Sequence, residues 1–219
     1  HARFGTTAFL PTLISDTLDR VDQAMRAVEQ AIADGVPGVV GIHIEGPFLN
    51  PARKGTHDAS RFLRLDDAAI ALLSGLKAGR TMVTVAREMT TPAAIRKLSA
   101  AGVIVSAGHS DADYATMRAG FDAGITGVTH LFNAMSPLHH RAPGVVGAAI
   151  ENQEAYAGLI VDGHHVAPAA LRIALAARPR DRFMLVTDAM APVGTDATSF
   201  TLQGKTIRIV DGVCMEEDG

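Results

Sequence analysis

Seven apolar, strand-like runs, most of them separated by a helix-like run, constrain this chain more than any other feature of its sequence. Residues 6–13 read as the first strand. Ser15-Asp16 then offers an N-cap, and Leu18, Val21, Met25, Val28 and Ile32 recur at helical spacing as far as Gly35. Residues 39–45 are the second strand, followed after a loop by a helix around residues 66–77 with Ile70, Leu73 and Leu76 on one face. Residues 81–88 are strand-like, and Thr91-Pro92 opens a helix in cap and first-turn order, closed by Gly102. Strand 103–109, helix 111–122 (closed by Gly124), strand 127–132, a long loop, strand 156–162, helix 168–177 and strand 183–188 complete the series. Residues 200–212 alternate differently, in the pattern of a β-hairpin.

Repeated βα units impose a parallel sheet with helices outside it, and eight of them close a barrel. The expected fold class is therefore α/β: a (β/α)8 TIM-type barrel lacking its first strand in residues 1–195, with residues 196–219 beginning a small β appendage. A doubly wound open sheet is the alternative, but no Gly-rich dinucleotide or phosphate-loop fingerprint follows the first strand. The chain opens at His1 without an initiator methionine and stops at Gly219 soon after the hairpin pattern, so it is expected to be most of a domain.

Composition removes several classes of function. With 219 residues and 47% apolar residues, the chain can bury one sizeable core. A net charge of −3 and no long basic run argue against nucleic-acid binding. No apolar run approaches the roughly 20 residues that a membrane helix requires. The single cysteine, Cys214, has no internal disulfide partner. A cytoplasmic protein acting on a small molecule, with no nucleic-acid or membrane partner, is the expectation.

In a parallel barrel the active site lies at the C-terminal ends of the strands. Those ends carry Glu45, Glu88, His109, His130, the Asp162/His165 turn and Asp188. One polar residue at a strand end commonly caps the next helix, but six consecutive ends are hard to explain that way. Glu45, His109 and His130 supply two imidazoles and a carboxylate, a catalytic Zn²⁺ ligand set with a fourth position left open. Such a set also suits Fe²⁺, Co²⁺ or Mn²⁺. Asp188 ends the apolar strand MLVTDA, where a carboxylate can move a proton as general base and then general acid. His43 lies two residues before Glu45, on the same side of a strand, and reads equally as a supporting or a direct site residue.

HIEGPFL, KGTH (residues 54–57), SAGHS (106–110), THLFNAM (129–135), DGHH (162–165) and TDA (187–189) together resemble the N-acetylglucosamine-6-phosphate deacetylases of the amidohydrolase superfamily. The likeness runs in order from LPT to the hairpin, over nearly the whole chain. It implies an amidohydrolase barrel with a small β-sandwich, a divalent metal held by Glu45, His109 and His130, and Asp188 as catalytic acid/base. It implies that His57 helps polarise the acetyl carbonyl. Asn133, the backbone of Ala134, Arg141 and His165 match substrate-binding positions, and a homodimer is the implied assembly. Arg87 stands where the family usually has proline, before the acidic Glu88. The first metal strand that carries a second ion's ligands in parts of the superfamily is not in this sequence, so one ion or two stays open.

Three other readings compete. A deacetylase of the galacto epimer would keep every residue named. A silent barrel serving as a scaffold would be marked by loss of Asp188 or of a ligand, and all are present. A sugar-phosphate isomerase or aldolase calls for a lysine or other base at a strand end, and no lysine ends any of the seven runs.

Overall fold

The computed structural model describes residues 2–216. The chain divides into two compact units, residues 1–186 and 187–219. In the first, seven strands pair consecutively into one curled parallel sheet. They are β1 (Thr12–Ile14), β2 (Gly41–Glu45), β3 (Arg80–Val85), β4 (Ile104–Ala107), β5 (Gly127–Val128), β6 (Tyr156–Ile160) and β7 (Phe183–Val186). The crossovers carry helices α1 (Leu18–Ala33), α2 (Asp67–Leu73), α3 (Pro92–Ala100), α4 (Tyr114–Ala123), α5 (Gly144–Glu151) and α6 (Pro168–Ala177). This is the strand–helix order of a TIM-type barrel.

Burial follows from the sequence pattern. Ile42, Ile44, Val83, Val85, Val105, Val128 and Leu159 fill the sheet and are almost wholly covered. The apolar stripes of the helices close over it through Val21, Met25, Leu73, Ile95, Leu98 and Met117. Each large side chain so covered stabilises the unit by about 1.5–3 kcal/mol. Helix starts are set by side chains: Asp66, Thr91 and Asp113 accept hydrogen bonds from the amides of Ala69, Ala94 and Thr116. Gly124 ends α4 in the left-handed conformation, at φ 117°.

Several local expectations change: the strand expected at 127–132 keeps only Gly127–Val128, and the helix expected at 66–77 ends at Leu73. The first strand is shorter and later than residues 6–13: Pro11 has no amide hydrogen, so Phe9 makes only an isolated bridge to Val39 and the ladder begins at Thr12. The N-cap of α1 is Thr17, whose side chain accepts from the Arg20 amide, and not Ser15. The third run stops as a strand at Val85, and residues 87–89 form a 3-10 turn. The long loop after residue 132 contains α5, whose sequence GVVGAAIE is apolar on nearly every side and so has no amphipathic period to detect.

The second unit holds an antiparallel sheet of β8 (Ser199–Leu202), β9 (Lys205–Val210) and β10 (Val213–Glu216). Two-residue turns join them, with Gln203 and Gly204 at φ 48° and 82°, and Asp211 and Gly212 at 50° and 81°. Two successive left-handed residues match the right-handed twist of a hairpin. The sequence pattern contains the first turn, while β10 goes beyond the expected hairpin. Among the described residues, no helix is long and apolar enough to cross a membrane.

Two substitutions test this architecture by urea denaturation. Leu98→Ala, at a fully covered position, is expected to cost about 2–5 kcal/mol. Asp113→Ala removes the α4 cap and is expected to cost about 1 kcal/mol at pH 7. The Thr116 hydrogen bonds hold the Asp113 carboxyl below its ordinary pKa, so the cap contributes above that ordinary value. The deficit of Asp113→Ala should therefore shrink as the pH falls through the lowered pKa.

Candidate metal centre

The C-terminal ends of β2, β4 and β5 meet at one buried point. Glu45 is the last residue of β2, His109 follows β4 by two residues, and His130 follows β5 by two. Glu45 Oε1 is 3.3 Å from His109 Nε2 and 3.1 Å from His130 Nε2, and the two imidazole nitrogens are 3.1 Å apart. All three residues are buried, at 4–5% exposure. Nothing in the intervening sequence dictates this meeting; the curl of the parallel sheet does.

The donor set fits a metal ion. His109 Nδ1 is 2.8 Å from the Arg53 carbonyl oxygen. A carbonyl only accepts, so that nitrogen carries the proton and the neutral ring turns a bare Nε2 toward Glu45. A bare nitrogen and a carboxylate at this range repel unless positive charge lies between them. Tetrahedral ligation with bonds near 2.0–2.2 Å would space ligand atoms about 3.4 Å apart, close to the separations found here. Glu45 is also in the right state. Burial would raise its pKa, but the imidazoles packed around it outweigh that and hold the carboxyl well below the usual range.

Both histidines occupy backbone conformations that side-chain-bearing residues rarely adopt: φ is 48° at His109 and 32° at His130. The loops that hold them are tied down from several sides. The Asn50 amide donates to the His109 carbonyl at 3.0 Å, and the Ser110 amide to the Ala134 carbonyl at 3.2 Å. Glu88, read as a candidate strand-end site residue, serves this loop system. Its carboxylate accepts from Asn50 Nδ2, Ser110 Oγ and the Asp111 amide at 2.6–2.7 Å.

His43 is not among the converging donors. It lies one pleat below, in a chain of hydrogen bonds from Thr12 through His43, Thr84 and Thr129 to Ser106, with steps of 2.7–3.1 Å. This chain crosses the strands that present the metal donors.

His57 joins the cluster from the loop after β2. It is buried, with Nε2 3.8 Å from Glu45 Oε2 and its ring 4.6 Å from that of His109. Asn133 and Ala134 occupy the turn just after His130, where the Asn133 amide donates to the His130 carbonyl at 2.9 Å. The Asn133 amide nitrogen Nδ2 is buried without a hydrogen-bond partner among the described residues, which suits a position that meets a ligand. Arg141 is exposed in the turn bridged by His139 and Ala142. His165 is exposed after β6, with Nδ1 2.6 Å from Asp162 Oδ2. Desolvation pushes the Asp162 carboxyl up, but hydrogen bonds from the His165 and His164 amides outweigh it and leave the carboxyl well below its ordinary value. Asp188 lies in the second unit, two residues past the end of β7, with φ at 48°.

Comparison with known proteins places this geometry in a family. The sequence model of the amidohydrolase family matches residues 1–201. The chain belongs to the amidohydrolase family. An N-acetylgalactosamine-6-phosphate deacetylase of Shewanella sp. is 43% identical over 95% of this amidohydrolase and 53% of its own length. An N-acetylglucosamine-6-phosphate deacetylase of Danio rerio is 39% identical, over 94% of this chain and 53% of its own. The chain thus spans about half the length of the curated relatives it matches.

Among solved structures, N-acetylglucosamine-6-phosphate deacetylase from Pasteurella multocida superposes with a TM-score of 0.93 at 35% identity, covering 98% of this chain and 56% of that one. A variant of the Mycobacterium smegmatis enzyme in complex with N-acetyl-D-glucosamine-6-phosphate gives 0.92 at 34%, with the same coverages of 98% and 56%. Amidohydrolases are metal-dependent, and the Glu45, His109 and His130 donors lie within 4.8 Å of one another.

Glu45→Gln replaces the anionic donor with an isosteric neutral one. Zn²⁺ affinity, measured by competition with a chromophoric chelator, is expected to fall by more than about 100-fold, while His57→Gln should change it far less. Equal losses in the two variants would contradict the three-donor site.

Proposed function

We propose that this amidohydrolase is the greater part of a metal-dependent deacetylase that hydrolyses N-acetyl-D-glucosamine 6-phosphate to glucosamine 6-phosphate and acetate. The observation that carries the proposal is the convergence of Glu45, His109 and His130 at the strand ends, beside His57. The relatives named for this reaction supply the substrate class. Residues 1–195 are read as the barrel part and 196–219 as the start of a small β domain. A cytoplasmic homodimer is the form expected in the cell.

Glu45, His109 and His130 would hold one divalent ion, with Zn²⁺ preferred for this donor set. Such an ion lowers the pKa of bound water and polarises a carbonyl oxygen. The chain's own residues supply the rest of the chemistry. His57 donates a hydrogen bond to the acetyl oxygen as charge develops on it. Asp188 takes a proton from the attacking water and returns it to the nitrogen as the C–N bond breaks, so that the products are a carboxylate and a free amine. The Arg141 guanidinium and His165 bind the phosphate end, and Asn133 with the Ala134 amide binds the sugar. Contacts this far from the scissile bond hold the amide in its reactive position.

A second reading, hydrolysis of the galacto epimer, draws support from the 43% identical Shewanella protein. Acetate release from both epimers, by chelated protein with and without added Zn²⁺, separates the two. Metal-dependent release with the higher kcat/KM on the gluco epimer is expected, and the reverse order would favour the second reading. Asp188→Asn should lower kcat by about 10²–10⁴-fold with metal content unchanged. Stoichiometric metal with no release from either epimer would refute both readings.

A further inference from the structure

We propose that Ser15 is a positioning residue that locks His57 in the tautomer carrying its proton on Nε2, so that His57 faces the site as a hydrogen-bond donor and never as a metal ligand. The inference rests on the deacetylase reading only for the use made of that donor.

Ser15 directly follows β1, and the register pairs its neighbour Ile14 with Glu45. Its exposure is 1%. Two of its groups converge on one atom. The hydroxyl is 2.8 Å from His57 Nδ1, and the backbone amide donates to the same nitrogen at 3.3 Å. A hydroxyl can take either role, but an amide N–H can only donate. A proton on Nδ1 would point at the amide hydrogen, so Nδ1 is the bare nitrogen. In the neutral ring, the proton must then sit on Nε2, the atom 3.8 Å from Glu45 Oε2.

The neighbouring histidine is held the opposite way. His109 Nδ1 meets the Arg53 carbonyl at 2.8 Å, an acceptor only, which leaves its Nε2 bare. Two imidazoles whose ring centres lie 4.6 Å apart are therefore sorted by one backbone amide and one backbone carbonyl. His109 offers a lone pair and His57 an N–H. His57 stands outside the three converging donors, with its Nε2 3.8 Å from Glu45 Oε2.

The space for the Ser15 hydroxyl is itself specified by the chain. A Cβ placed on Gly46 would lie 2.2 Å from Ser15 Oγ, so a side chain there would displace the hydroxyl from His57. Gly46 also has φ at 86°, which glycine adopts without strain.

The test is the ¹⁵N spectrum of the imidazoles in the full, Zn²⁺-loaded chain, with His57 assigned by its loss in His57→Gln. The expected pattern is a protonated Nε2 and a bare Nδ1 for His57. A His57 proton on Nδ1 in the native chain overturns the inference, whether or not the protein deacetylates anything. Ser15→Ala keeps the backbone amide, so His57 is expected to keep its bare Nδ1, while loss of the hydroxyl contact loosens the ring and lowers kcat about tenfold, the scale of one orienting hydrogen bond. KM and metal content should stay near their native values. A Ser15→Ala protein whose kcat is unchanged also overturns the positioning role of Ser15. The spectrum needs no turnover, so its failure is distinct from failure of the deacetylase reading.

Discussion

Consecutive parallel pairing of the strands decides where every polar side chain of the site arrives. Thr84 pairs with Glu45 across β2 and β3, and with Ser106 across β3 and β4, while Ser106 pairs with Gly127 of β5. His109 and His130 lie three residues beyond Ser106 and Gly127, so equal extensions of β4 and β5 carry both imidazoles over Glu45. A slip of one residue in any of these pairs would turn the side chains to the other face of the sheet. The buried carboxylate would then lose its partners, and an unpaired buried charge is among the most expensive faults a core can contain.

The site also draws on backbone conformations that the scaffold has to enforce. The left-handed geometry of His109 and His130 costs on the order of 1–3 kcal/mol at each residue. It persists because the surrounding hydrogen bonds leave no alternative: Arg53 and Asn50 hold His109, the Ser110 and Ala134 loops are joined, and Glu88 gathers three donors behind them. Beneath this layer, the chain from Thr12 to Ser106 satisfies buried hydroxyls that would otherwise weaken the sheet. Rigidity below and around the donors keeps their separations suited to one ion.

What could be read from the residues, and what could not, follows from the range of the interactions involved. Helix signals such as Thr91-Pro92 and Gly124 act within a few residues, and α3 starts and α4 ends where those signals stand. Helix α5 carries no such signal, because its burial on nearly all sides erases the periodicity that marks a surface helix. Ser15 has the residue type and the position of an N-cap, yet its partner is His57, 42 residues away. Glu88 shares the strand-end signature of a site residue, but only the fold reveals that its oxygens are taken up by Asn50, Ser110 and Asp111.

The sequence by itself determined the parallel α/β class, the order of the strands, and the kinds of donor waiting at their ends, because periodicity and residue type are local properties. Only the tertiary structure decided that Glu45, His109 and His130 share one point, that His43 stays below it, and that His57 and His109 turn different nitrogens inward. Those outcomes depend on contacts between residues dozens of positions apart, and on whether a backbone amide or a backbone carbonyl lies next to each ring.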